Sequence, residues 1–86
     1  MDYILVTYRS RSQTLRFHEF LIKNGLYSEI VNTPKEAGVG CGLSVKISPE
    51  YVSAVKKAVR ITNFSAFAGI FGVKISGGVK TVRSIY

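Results

Sequence analysis

Apolar residues recur along this chain in two rhythms, one of period two and one near 3.6, and the switch between them marks out the elements. "YILVTY" (residues 3–8) is an unbroken β-branched and aromatic run, which predicts a buried strand. In "RSRSQTLRFHEFLIKNG" the spacing becomes helical. Leu15, Phe17, His18, Leu21 and Ile22 share one broad face, with Arg16, Glu19 and Lys23 on the other. Glu19 and Lys23 stand in the favourable i, i+4 order. Ser10 or Ser12 can cap the helix start, and Gly25 falls where a helix end favours a left-handed residue.

A second, short strand follows in "YSEIVN" (27–32), ended by Pro34, and residues 33–42 read as a loop. "LSVKI" (43–47) alternates strictly, with Leu43, Val45 and Ile47 on one side and Ser44 and Lys46 on the other. That pattern describes a strand with one wet face in an antiparallel sheet. Ser48-Pro49-Glu50 then opens a helix that runs to about Thr62: a capping hydroxyl, a proline in the first turn and an acid at the positive dipole end. Val52, Val55, Ala58 and Val59 form its inner face, while Lys56, Lys57 and Arg60 point to water. "FAGIFGVKI" (67–75) suits a strand, and "SGGVK" suits a tight turn into a last strand, "TVRSIY". Phe64, Phe67 and Phe71 also fit a helical extension.

The order β-α-β-β-α-β predicts an α+β, ferredoxin-like sandwich: an antiparallel sheet with two helices on one face, and an extra C-terminal strand beyond it. Residues 1–86 form one domain, with a core at 2–75 and a hairpin extension at 76–86. Such a frame hosts metal carriers, RNA-binding modules, regulatory domains and small enzymes, so function must come from a site.

Composition narrows the field. Hydrophobic residues make up 47% of the 86, mean hydropathy is +0.19, and one cysteine rules out a disulfide within the chain. So small a core leaves homo-oligomerisation as a source of stability. No apolar stretch has the length of a membrane span, and "MDYILVTYRSRS" lacks the pattern of a secretory leader. The expectation is a cytoplasmic protein whose lone thiol stays reduced. Twelve Lys and Arg against five Asp and Glu give a net charge of +7, but the cations are spread rather than run together. RNA-recognition modules stack bases on aromatics of the central strands. Here "LSVKI" has none, and Tyr3 and Tyr8 lie on opposite faces, so nucleic-acid binding is the weakest of the readings.

Most chemistries are excluded by inventory. One Cys, one His and five scattered acids make no zinc set, so no metal and no cofactor is expected. No nucleophile elbow is present. "GVGCGL" precedes a strand instead of joining a strand to a helix, so it is no dinucleotide fingerprint. His18 reads as a core-edge histidine held by one hydrogen bond. Cys41 is the candidate that is left. Gly40 and Gly42 flank it, giving close access to the sulfur and N–H groups able to converge on an anion. Lys35, in the same loop, adds a positive charge. All three favour a reactive thiolate; a small, packed hydrophobe is the competing reading.

The opening "YILVTYRSRSQTLRFHEFLIKNGL", the "NTPKEAGVGCGLSVKISPEYVSAVKKAV" stretch with its Pro-x-Glu and Cys-Gly-Leu, and the later "FAGIF" together resemble a small bacterial family of selenium/sulfur carrier-like proteins. The resemblance spans about residues 2–75. It implies that Cys41 carries sulfur or selenium, as a persulfide or selenide adduct, beside a cysteine desulfurase or a selenium-handling protein. The chain departs from the family pattern at Gly38 and Gly40, where serine-like residues are common, and in its tail at 76–86. The leading expectation is a group carrier rather than a turnover enzyme, with Cys41 as the carrying thiol and Lys35, Gly40 and Gly42 as its approach loop. Two other classes remain beside it: an interaction or regulatory module with a structural cysteine, and a nucleic-acid binder acting through the basic surface.

Overall fold

The computed structural model describes residues 1–86. Its elements are β1 (Tyr3–Tyr8), α1 (Arg11–Lys23), β2 (Glu29–Asn32), β3 (Leu43–Ile47), α2 (Val52–Thr62), β4 (Phe67–Ser76) and β5 (Val79–Ser84), with single 3₁₀ turns at Lys35–Ala37 and Pro49–Tyr51. The five strands form one sheet in the order β2-β3-β1-β4-β5, and every neighbouring pair is antiparallel. The architecture is therefore α+β, two helices on an antiparallel sheet. No helix is long and apolar enough to cross a membrane.

The apolar run of β1 matches its central place. Ile4 to Tyr8 are all fully buried. Ile4, Val6 and Tyr8 pack with Val45, Ile47 and Ile70 of the sheet against Phe17 and Leu21 of α1 and Val55, Ala58 and Val59 of α2. Each such side chain stabilises the fold by about 1.5–3 kcal/mol through burial alone. Leu5, Thr7 and Val73 are equally buried but lie outside that cluster, on the sheet's other face.

Helix α1 starts where Ser10 accepts a hydrogen bond from the Gln13 N–H at 3.3 Å, and Gly25 follows its end at φ 81°. Its buried stripe is Thr14, Phe17 and Leu21, narrower than the face expected from the sequence. Leu15 and Ile22 are 42% and 46% exposed. Thr14 tolerates burial because its hydroxyl donates to the Ser10 carbonyl one turn back, at 3.0 Å. His18 is half-buried, with Nδ1 2.7 Å from Ser28 Oγ.

Other expectations need correction. Strand β2 begins at Glu29, not Tyr27, and β5 spans Val79–Ser84 rather than 81–86. Residues Phe64, Phe67 and Phe71 form no helix: Phe67 opens β4, and Phe64 and Phe67 meet the Tyr8 ring edge-on at 6.0 and 5.7 Å between centroids. Ser44, read as solvent-facing, is fully buried and 2.6 Å from Thr33 Oγ1, because the 33–42 loop folds back beside it. The β4–β5 turn is the two-residue Gly77-Gly78 step, a hairpin type that matches the twist of its strands.

One buried polar atom is left without a partner, the Tyr8 hydroxyl. Thr62 lies close, yet its own hydroxyl donates to the carbonyls of Ala58 and Val59. Burial pushes the Tyr8 phenol well above its ordinary 10.0, and the Thr62 hydroxyl opposes that only in part. Tyr8→Phe is therefore expected to raise unfolding stability by about 1 kcal/mol, seen as a higher urea midpoint. The unfolded chain ionises at this position first. Stability linked to Tyr8 is thus complete below pH 10.0 and drains as pH rises above it, and that part of the alkaline loss should vanish in Y8F.

Candidate functional site

The site is built where the 33–42 loop returns to the sheet. Thr33 N–H donates to the Gly42 carbonyl at 2.9 Å, extending the β2–β3 ladder one step past Asn32 and Leu43. The Cys41 N–H donates to the Tyr8 carbonyl at 3.0 Å, tying the loop to the end of β1. Between these ties the chain passes over the β1 terminus. A Cβ on Gly40 would lie 3.4 Å from both Thr7 Cβ and the Tyr8 carbonyl oxygen, on the face away from the helices. One residue later the Cys41 sulfur faces α1, 3.6 Å from Thr14 Oγ1. Beyond this crossing the Lys35–Ala37 turn approaches β5.

The glycines beside the thiol answer a backbone requirement. Gly40 and Gly42 have φ of 97° and 95°, a region that costs an L-residue about 1–2 kcal/mol. Gly42 is exposed and has nothing within 4 Å of its would-be Cβ. The backbone here is tied on both sides, by the Thr33 and Cys41 N–H groups. Of the N–H groups proposed to meet an anion, that of Cys41 is already committed to Tyr8, while those of Gly40 and Gly42 find no partner in the protein.

The sulfur itself is half-buried. Its two polar neighbours are Thr14 Oγ1 at 3.6 Å and the Leu43 carbonyl at 3.8 Å. Because the Thr14 proton points to Ser10, both present an oxygen lone pair, and the S–H is the natural donor. Turning the Thr14 hydroxyl toward the sulfur reverses that polarity and releases the Ser10 carbonyl. The sulfur also lies beside the first turn of α1, whose amide dipoles favour negative charge. Gln13 clamps that turn to the segment before β4: its Oε1 accepts from the Ala66 N–H at 2.8 Å and its Nε2 donates to Ser65 Oγ at 3.1 Å. Arg9 and Arg11, both exposed, stand at the same end of the molecule.

Lys35 stands beside the glycines that flank the thiol. It is exposed and lines a shallow depression of about 250 Å³ with Thr33, Pro34, Gly38, Val39, Gly40 and Gly42, and no polar contact joins it to the sulfur. The structure holds no group of three or more His, Cys, Asp and Glu side chains able to bind a metal. Thr14 and Gln13 were missed by sequence reasoning. Thr14 was findable as the polar member of the 14–17–21 stripe; Gln13 carried no signal, since its partners lie more than 50 residues away.

Compared with known families, the chain matches the one described as "Putative Se/S carrier protein-like" over residues 2–67, and it belongs to that family. The match covers β1 to α2 and the first residue of β4, short of the expected end near residue 75. No curated protein and no solved structure matches the chain.

Gly40→Ala is expected to lower stability by about 1–2 kcal/mol, from the left-handed backbone and the approach to Thr7. Gly42→Ala, with open space around it, should cost no more than the backbone strain, so a larger loss for G42A than for G40A in urea melts would contradict this packing.

Proposed function

We propose that the protein carries a sulfane sulfur or selenium atom on Cys41 and passes it to an acceptor. In the sulfur case the Cys41 thiolate attacks the outer sulfur of a donor persulfide. A Cys41 S–S bond forms, the donor's S–S bond breaks, and the donor leaves as a thiolate, with no net oxidation. A cysteine desulfurase, whose own cysteine bears such a persulfide, is the donor class this chemistry calls for; a selenium-handling protein is its counterpart for selenium. The observation that carries the reading is a half-buried cysteine in a chain of this family, flanked by exposed glycines and set against the first turn of a helix. The free N–H groups of Gly40 and Gly42 and the dipole of α1 support the terminal anion of a persulfide; Thr14 can turn its hydroxyl to it. Lys35, exposed in the same loop, adds positive potential.

We read the frame that presents this thiol as ferredoxin-like. Strands β2-β3-β1-β4 and the two helices supply the βαββαβ unit, and β5 is an added edge strand. The competing reading is a packed, structural cysteine, and one observation favours it: both polar neighbours of the sulfur accept hydrogen bonds in their present arrangement.

Intact mass after incubation with a cysteine desulfurase and cysteine separates the two. The carrier reading expects the gain of one sulfur atom, reversed by a thiol reductant and absent in Cys41→Ser. It also expects native Cys41 to be alkylated at a rate comparable to the unfolded chain, and Thr14→Val to slow that reaction several-fold. A sulfur that reacts only after denaturation sinks the carrier reading.

A further inference from the structure

Strand β5 is the free edge of the sheet, and the hairpin geometry says which of its groups are unused. In a two-residue hairpin the flanking pair, Ser76 and Val79, is hydrogen-bonded, and bonded and non-bonded pairs alternate from there. Val79, Thr81 and Arg83 thus turn their N–H and C=O groups inward to β4. The alternation continues past the strand end, where the Ile85 N–H donates to the Ile70 carbonyl at 2.9 Å. Lys80, Val82 and Ser84 therefore point their backbone groups outward, with no neighbouring strand.

Cations predominate around this edge, beside Glu36 in the Lys35–Ala37 turn that approaches β5 and Asp2, which accepts from the Ile75 N–H of β4. No acidic residue occurs from 51 to 86, while Lys56, Lys57, Arg60, Lys74, Lys80 and Arg83 do. Lys80 and Arg83 lie on opposite faces of β5, Lys74 lies one strand in, and all three are exposed. On the helix-side face, Gly72, Lys74, Thr81 and Arg83 line the largest cavity of the molecule, about 390 Å³. Pairing with a second copy would bring two such sets of cations together against fewer acids, which is how edge lysines keep sheets apart. The opposite edge, β2, is only four residues long and includes Glu29. Charge thus discriminates against self-pairing and in favour of an acidic strand.

We propose that the β5 edge docks an extended acidic segment of a partner protein, which adds to the sheet as a sixth strand. Its backbone pairs with Lys80, Val82 and Ser84, and its carboxylates meet Lys80 and Arg83 on the two faces, with Lys74 behind. This goes beyond the carrier reading and does not depend on Cys41.

The probe is a short capped valine-rich peptide with two glutamates three residues apart, one for each face, titrated into the whole protein at low salt, with amide hydrogen exchange as readout. Protection of the Lys80, Val82 and Ser84 amides is expected to rise several-fold, while those of Val79, Thr81 and Arg83, already paired, change little. Ser84→Pro removes one outward N–H and no inward bond, a substitution edge strands tolerate, and should weaken binding with the melting temperature held. Lys80→Glu with Arg83→Glu should abolish it. Four outcomes overturn the proposal: no protection; equal protection by a valine–lysine peptide; a dimer in sedimentation whose formation protects the same amides; or shifts confined to side chains and produced better by single-stranded RNA.

Discussion

The hydrogen bond from the Cys41 N–H to the Tyr8 carbonyl is the joint on which the site depends. It makes the last residue of the central strand the anchor of the loop, and so fixes where the chain crosses from one face of the sheet to the other. Gly40 sits against Thr7 on one side of that crossing and the sulfur sits against Thr14 on the other. Tyr8 serves both directions at once. Its ring fills the core between Phe17, Phe64 and Phe67, while its carbonyl holds the loop. The thiol is therefore tied to the central strand through one backbone contact, beside a helix start clamped by Gln13.

The parts of this architecture with a period were legible from the residues. Strand β1, helix α1, the alternation of β3 and the Ser48-Pro49-Glu50 helix start each announce themselves locally, and the family resemblance rested on those same stretches. What failed to show has no period. The 33–42 loop gives no alternation from which to deduce that it folds back beside the sheet, so Ser44 read as wet when it is buried. Leu15 and Ile22 are apolar and on the expected side of α1, yet a polar threonine took the buried place because its hydroxyl could be satisfied one turn back. Lys35 is near Cys41 along the chain, yet the polar neighbours of the sulfur are Thr14 and Leu43. Proximity in sequence is a poor guide wherever a loop changes face.

The chain also divides by charge. All five acids fall within the first fifty residues, and the last thirty-six hold cations alone. The family match ends at residue 67, the first residue of β4. The thiol and the free edge lie on different portions of the sheet, one at the end of β1 and the other two strands away. Handling of a group and choice of a companion are thereby open to separate change.

The backbone on each side of the sulfur is bent in the mirror-image sense, at φ of 97° and 95°. Of the amino acids a ribosome inserts, only glycine, which is achiral, sits there without strain. An 86-residue chain is short enough for assembly by chemical synthesis, and a D-amino acid at position 42 would find its preferred conformation already in place. Handedness, more than size, is what restricts these two positions. A residue of the opposite chirality would stiffen the turn that presents the thiol by narrowing the unfolded ensemble, without adding a single contact to the folded one.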